Sequence, residues 1–190
     1  MRPERAANVP RVRLRTCLAI PLAGVLLIGI ANQADVARPG PYCLPVKKEL
    51  RSQALSFSLP ALDGSTLTFS TADGRPTIVA FFATWCRPCS EEMPALLDVA
   101  RRYESQGVRT VLVNDEEPPA PIRAFSKKFG IDLPIAMDAN GTTFKLFGLR
   151  GIPSTLFFNA NGVLTCYVTD SLAPKQLDNE ASAAAGGWMP

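Results

Sequence analysis

Apolar and polar residues follow two spacings along this chain, one typical of strands and one typical of helices. Thr77–Phe82 and Val108–Val113 are mainly β-branched, aromatic and other apolar residues, as in strands buried on both faces of a sheet. Ser90–Tyr103 carries apolar residues at helical spacing and predicts a helix, with a bend expected at Pro94.

Shorter elements complete the predicted fold. Two hairpins are expected, around Asp63-Gly64 and around Asn159–Gly162, because these residues favour tight turns. The other predicted strands are Ala54–Leu59, Ser65–Phe69, Leu133–Met137, Ser154–Phe158 and Val163–Val168, and the other predicted helices are Pro121–Phe129, Thr142–Phe147 and Ser171–Ala184. The order β-α-β-α followed by a hairpin and a helix predicts an α/β fold with a central mixed β-sheet flanked by helices.

The start of the chain has the pattern of an export segment. Five arginines precede Cys17–Ala31, a run of fifteen apolar or small residues. Positive charge before such a run is typical of a signal peptide or an N-terminal membrane anchor. Gly29 and Ala31 suit a signal peptidase, whereas residues 17–34 reach about the lower limit for a membrane span, so cleavage and retention both stay open. In either case we expect the remainder to lie outside the cytoplasm, in the periplasm or another extracytoplasmic space.

Composition and charge support one folded domain after this segment. Proline and glycine are frequent in the stretch that follows it, as in a linker, and 47% of all residues are hydrophobic, enough for a core. The formal net charge of +3 arises in the arginine-rich start, so the rest is close to neutral and a nucleic-acid partner is not expected. The predicted division is an export signal or membrane anchor at 1–34, a linker at 35–53, a domain at 54–185 and a frayed C-terminus at 186–190.

The absence of histidine directs attention to the five cysteines. Without histidine there is no Ser-His-Asp triad, no Cys-His pair and no histidine-ligated zinc or haem. Cys86 and Cys89 are separated by two residues, directly after a predicted buried strand and at the start of a predicted helix. The helix N-terminus stabilises a thiolate at Cys86, and Arg87 adds a nearby cation. We therefore interpret Cys86 as the attacking nucleophile and Cys89 as the resolving thiol.

Other uses of this pair are weaker. A zinc site would need two more ligands, which without histidine would be Cys43 and Cys166, and neither belongs to a second C-x-x-C motif. A purely structural bridge that closes so small a loop would constrain the unfolded chain little. We therefore predict a redox-active disulfide, with no metal and no cofactor, because the two cysteines themselves carry both electrons.

These residues resemble a known family. The segment Trp85-Cys86-Arg87-Pro88-Cys89 resembles the active site of the thioredoxin superfamily, and residues 82–94 are similar to the TlpA/ResA-like branch of exported thiol-disulfide oxidoreductases. The resemblance covers about residues 54–170 and implies a thioredoxin-like fold. Gly151–Thr155 matches the family's loop that faces the active site, with Pro153 at its cis-proline. The resemblance implies that Ile152 and Pro153 bind the partner's extended backbone and that Trp85 contacts substrates; a core position is the alternative for Trp85.

The resemblance also gives Glu92 a role. Glu92 lies three residues after Cys89, so on a helix it shares the face of that thiol. As the equivalent glutamate does in the ResA-like branch, it would take up the proton that Cys89 loses before it attacks. The alternative is a solvated carboxylate near a helix N-terminus, which is what we expect of the neighbouring Glu91.

Cys43 and Cys166 remain in the part of the chain beyond the export segment. An even number of cysteines there permits a second bridge between these two, which we state as a hypothesis. The alternative for Cys166, which alternates with its neighbours in a predicted strand, is a buried inert thiol.

The predicted function is dithiol–disulfide exchange with protein partners, as a reductant in an oxidising compartment. A membrane electron donor would return the enzyme to its reduced form, and the only predicted membrane contact is through an uncleaved N-terminal segment. Two alternatives stay open: a protein that binds copper(I) through its soft thiolates, and a thiol peroxidase.

Overall fold

A computed structural model describes residues 40–45 and 55–186 of the 190-residue chain. The predicted export segment, most of the predicted linker and the last four residues of the predicted frayed C-terminus lie outside the described residues. Within the described part, no helix combines the length and the apolar character that crossing a membrane requires.

The centre of the domain is a five-stranded mixed sheet in the order β5-β4-β3-β6-β7. The strands β3, β4 and β5 are parallel, β6 is antiparallel to β3, and β7 is antiparallel to β6. The strands are β3 (Thr77–Phe82), β4 (Arg109–Asp115), β5 (Ile135–Asp138), β6 (Ser154–Phe158) and β7 (Leu164–Val168), and a separate antiparallel hairpin is formed by β1 (Ser56–Pro60) and β2 (Thr66–Ser70). The prediction of a central mixed sheet is confirmed.

Both faces of the sheet are covered. The helices are α1 (Arg87–Glu104), α2 (Pro119–Phe129), α3 (Thr142–Leu146) and α4 (Pro174–Ala184). Alternate residues of β3 point to opposite faces. Ile78 and Phe82 belong to one buried cluster together with residues of α1, α2 and α4, whereas Val79 and Phe81 belong to a second cluster with residues of the hairpin and Phe147, which follows α3. The predicted flanking helices are therefore present, and the hairpin adds to the cover of the second face.

The helix that follows β3 begins earlier than its apolar spacing predicts. It starts at Arg87 rather than Ser90, because the Cys86 side chain caps it and Pro88 occupies its first turn, where a missing N–H is tolerated. The helix continues through Pro94. This early start matters for the chemistry, because it places Cys86 at the helix N-terminus.

Part of the predicted linker is attached to the domain. Cys43 forms a disulfide bond with Cys166 in β7, so the hypothesis of this bridge is confirmed and the alternative of an unpaired Cys166 is wrong. The Leu44 N–H donates to the Tyr167 carbonyl at 2.8 Å, and the Tyr42 hydroxyl reaches α4. Residues 40–45 therefore cover the outer edge of β7.

Candidate active site

The first part of the site is the junction between β3 and α1. Cys86 is the N-cap of α1, with extended backbone angles, and its Sγ accepts a hydrogen bond from the Cys89 N–H at 3.1 Å. Cys86 and Cys89 are joined in a disulfide bond, with their Cα atoms 5.3 Å apart. After reduction the same N–H group and the positive end of the helix dipole act on the Cys86 sulfur, and both favour its thiolate form.

Trp85 is the exposed residue next to this disulfide. Its surface is 71% exposed, whereas Cys86 and Cys89 are buried. The alternative of Trp85 as a core residue is therefore wrong. The Arg87 Nε donates to the Glu91 Oε1 at 2.8 Å, and both side chains are largely exposed, so the Arg87 charge is partly compensated. The helix N-terminus is thus the more constant source of positive potential at Cys86.

The loop before β6 lies at the same end of the sheet. The Ile152–Pro153 peptide bond is cis, as the resemblance implied. Phe81 pairs with Ser154, so the next position along the antiparallel register places Pro153 beside Phe82, the last residue of β3. Ile152 is half-buried and packs against both apolar clusters. The topology therefore brings Ile152 and Pro153 to the strand end from which the chain continues to Cys86.

Glu92 is a buried carboxylate on the second turn of α1. Only 6% of its surface is exposed, so the alternative of a solvated carboxylate is wrong, whereas Glu91 is exposed as expected. The Glu92 Oε1 accepts the Leu172 N–H at 2.9 Å. The pKa of Glu92 is raised to about 7, mainly because the carboxyl group is buried. The Asp170 charge contributes to this rise, and the Leu172 hydrogen bond opposes it. Its proton affinity therefore suits proton exchange near neutral pH.

Glu117 is a residue of the site that the sequence analysis did not identify. Its carboxylate accepts three hydrogen bonds: from the Thr84 N–H at 2.7 Å, from the Thr84 hydroxyl at 2.5 Å and from the Asn114 side-chain amide at 2.7 Å. Thr84 lies two residues before Cys86, so Glu117 fixes the backbone that leads from β3 to α1. The polar run Asn114–Glu117 directly after a buried stretch could have indicated this site, because functional side chains often follow the ends of parallel strands.

Acidic groups continue along this edge of the sheet. Asp115 and Asp138 are register partners at the ends of β4 and β5. Burial, together with the neighbouring Glu116 and Asp138 charges, raises the pKa of Asp115 to about 6. The side of the site formed by β4 and β5 is therefore rich in carboxylates.

Comparisons with known proteins show the family and the fold of this chain. The sequence model of the AhpC/TSA family matches residues 50–166. The chain is 28% identical over 126 residues to the thiol-disulfide oxidoreductase ResA of Halalkalibacterium halodurans, an alignment that covers 66% of this chain and 72% of that protein. It is 27% identical over 126 residues to ResA of Bacillus subtilis, covering 66% and 70%.

Solved structures give the same fold. A thioredoxin family thiol:disulfide interchange protein from Chlorobium tepidum superimposes with a TM-score of 0.63 at 28% identity, over 75% of this chain and all of that one. A secreted Mycobacterium tuberculosis disulfide oxidoreductase, described as homologous to Escherichia coli DsbE, superimposes with a TM-score of 0.61 at 22% identity, over 73% and 99%. The second likeness bears on the fold alone.

Proposed function

Since the chain belongs to the AhpC/TSA family of thioredoxin-fold proteins, we propose that it is a thiol-disulfide oxidoreductase that reduces protein disulfides outside the cytoplasm. The observation that carries this proposal is the Cys86–Cys89 disulfide at the N-terminus of α1, beside the cis-Pro153 loop. The thiol-disulfide oxidoreductase activity named for its ResA relatives supports the same reaction class.

Cys86 performs the first step. In the reduced enzyme its thiolate attacks one sulfur of the partner's disulfide, a mixed disulfide forms, and the partner's other sulfur leaves as a thiolate. The Cys89 N–H and the α1 dipole favour the thiolate before the attack. The electron pair of the new S–S bond comes from Cys86, so no cofactor is required.

Cys89 performs the second step, with Glu92 as its proton acceptor. Cys89 is 2% exposed, so its proton leaves most readily to a group within the protein rather than to bulk water. Glu92 lies one turn further along α1 on the same helix face and is itself buried. The Cys89 thiolate then attacks Cys86, the Cys86–Cys89 disulfide re-forms, and the partner leaves with its second thiol.

The proposed substrate site consists of the exposed Trp85, the half-buried Ile152 and the buried Pro153. Trp85 presents a large exposed apolar side chain beside the nucleophile, and such residues commonly anchor protein partners. Pro153 directly precedes β6 and has no backbone N–H, and Ile152 beside it is half-buried. An extended segment of the partner would therefore lie along this loop, with its disulfide over Cys86.

Direction and location complete the proposal. We place the enzyme in the periplasm or an equivalent extracytoplasmic space, delivered by residues 1–34 and held at the membrane by residues 17–34 if they are not removed. A membrane electron donor then restores the two thiols after each turnover. Neither alternative from the sequence, the copper(I)-binding protein or the thiol peroxidase, is favoured by the names of the relatives.

The test is a reduction assay combined with trapping. The reduced full-length protein should reduce insulin disulfides with dithiothreitol as the electron source, and the Cys86→Ser variant should be inactive. The Cys89→Ser variant should accumulate mixed disulfides with its substrates, because the resolving thiol is absent. Insulin reduction at the uncatalysed rate, or peroxide consumption or copper(I) retention in its place, would contradict the proposal.

A further inference from the structure

The second disulfide lies beside a buried carboxylate that the exchange mechanism does not use. The ligand atoms of Cys43, Cys166 and Glu180 all lie within 4.8 Å of one another, and among the described residues this is the one such group of three potential metal ligands. Cys166 and Glu180 are almost completely buried, whereas Cys43 is half-buried. The three residues come from the segment 40–45, from β7 and from α4, so the cluster joins three separate parts of the fold.

The carboxylate is held in place by its surroundings. The Tyr42 hydroxyl donates to the Glu180 Oε1 at 2.9 Å. Gly40 packs so closely that a Cβ there would lie 2.7 Å from the same oxygen. Burial raises the pKa of Glu180, although its hydrogen bonds with Tyr42 and with the Gly40 backbone lower it. Glu180 is therefore oriented next to the two sulfurs before any ligand arrives.

From this arrangement we propose that Cys43, Cys166 and Glu180 bind a zinc ion when their disulfide is reduced. Zinc accepts thiolate and carboxylate ligands together in tetrahedral sites, whereas copper(I) prefers sulfur ligands alone. A tetrahedral ion with zinc–sulfur bonds of about 2.3 Å holds its two sulfurs about 3.8 Å apart. Once the bond between the two sulfurs is reduced, the two thiolates and the Glu180 carboxylate supply three ligands, and the fourth position is left for water.

The proposed steps balance in atoms and electrons, and the oxidation state of the zinc does not change. A dithiol reductant transfers two electrons to the Cys43–Cys166 disulfide and becomes a disulfide itself, and the two sulfurs take up protons. Zinc then binds as Zn²⁺ and displaces those two protons. The metal replaces the covalent link between residues 40–45 and β7 and adds a link to α4. The site depends on neither Cys86 nor Cys89, so the proposal stands independently of the proposed function.

The experiment uses the full-length chain with Cys86→Ser and Cys89→Ser, which removes the other pair of thiols. The protein is reduced with dithiothreitol, freed of reductant by anaerobic gel filtration, given zinc chloride and desalted. Zinc per chain is measured by mass spectrometry, and its affinity by competition with a chromogenic chelator. Cobalt(II) in place of zinc reports the ligands, because thiolate ligation produces a near-ultraviolet charge-transfer absorption.

We expect one zinc per reduced chain and none in the oxidised chain. Adding Cys43→Ser should abolish binding, and adding Glu180→Gln should weaken it at least about tenfold while Tyr42 keeps a hydrogen-bond acceptor. Glu104→Gln, at an exposed glutamate of α1, is the matched control and should leave binding unchanged.

Three results would overturn the proposal. The first is a reduced chain that binds no zinc, whether it stays folded by circular dichroism or not, because the site has to survive reduction. The second is zinc binding that persists after Cys43→Ser, which would place the metal elsewhere. The third is an affinity that Glu180→Gln and Glu104→Gln change equally, which would show that the buried carboxylate is not a ligand.

Discussion

Replacing Glu92 with glutamine removes a charge from the core while it keeps an oxygen that can accept the Leu172 N–H. The pKa of Glu92 rises from an ordinary value of 4.5 to about 7 in the folded protein, chiefly because of burial. At a pH between these two values the folded state holds a proton that the unfolded state has lost. The wild-type protein therefore loses stability as the pH rises from about 4.5 to about 7, and the loss is complete above that range.

The size of this loss follows from the shift in pKa. Each pKa unit corresponds to 1.36 kcal/mol, so the rise from 4.5 to about 7 amounts to about 3 kcal/mol. The glutamine variant has no proton to lose and avoids this loss. The free energy of unfolding of Glu92→Gln, relative to wild type, should therefore rise by about 3 kcal/mol between pH 4 and pH 8. Because the comparison is a difference, the contributions of other raised carboxyl groups such as Asp115 cancel.

Urea denaturation of the oxidised protein, followed by circular dichroism at several pH values, measures this difference. Glu91→Gln is the matched control, because Glu91 precedes Glu92 on the same helix but is exposed. A difference between Glu92→Gln and wild type that stays constant within about 0.5 kcal/mol from pH 4 to pH 8 would refute the argument from burial. In kinetics the same variant should slow the resolution of mixed disulfides and flatten its pH dependence, and unchanged rates from pH 5 to pH 9 would refute the proton-acceptor role.

Three further predictions concern other residues. Replacing Cys43 and Cys166 together with serine should lower the free energy of unfolding by up to about 5 kcal/mol, because their bridge spans 123 positions of sequence. Urea denaturation measures this loss of stability, and a loss below about 1 kcal/mol would contradict the prediction. Trp85→Ala should change the free energy of unfolding by less than about 0.5 kcal/mol, because the side chain is exposed. It should raise the KM for insulin but not the KM for oxidised glutathione, and an equal rise in both KM values would contradict contact between Trp85 and the protein substrate. Glu117→Ala should lower the free energy of unfolding by about 1–3 kcal/mol and slow insulin reduction, because Thr84 loses two hydrogen bonds. Urea denaturation and the insulin assay measure the two effects, and unchanged stability would contradict the prediction.

The position of the Cys86–Cys89 pair at the start of a helix was predictable from sequence because the motif is local. A C-x-x-C motif after a buried strand defines its own position at a helix N-terminus, and four consecutive residues suffice to recognise it. The cis-Pro153 loop and the buried Glu92 required the family resemblance, since neither a cis bond nor the depth of a glutamate follows from apolar spacing. Apolar spacing alone begins this helix at Ser90 rather than at Arg87, because the cap is a cysteine side chain, which propensity patterns do not include.

Contacts between distant residues were beyond the sequence pattern. Glu117 lies 33 positions from Thr84, and the two meet only because β3 and β4 pair in parallel. Tyr42 lies 138 positions from Glu180, in a stretch whose proline and glycine content predicts a linker. These contacts depend on how the strands and helices are arranged. The spacing of apolar residues in one sequence does not reveal that arrangement, whereas a resemblance to a family of known fold does.

The two disulfides differ in how much their opening costs the stability of the fold, and this difference fits the roles that we propose for them. The Cys86–Cys89 bridge spans three positions, so it restricts the unfolded chain by only about 2 kcal/mol, whereas the Cys43–Cys166 bridge restricts it by about 5 kcal/mol. Opening Cys86–Cys89 therefore costs the fold little stability, and the helix N-terminus stabilises the thiolate that forms. In the proposed mechanism the enzyme can then cycle between its two redox states with little change in fold stability, while the second bridge keeps residues 40–45 attached to β7.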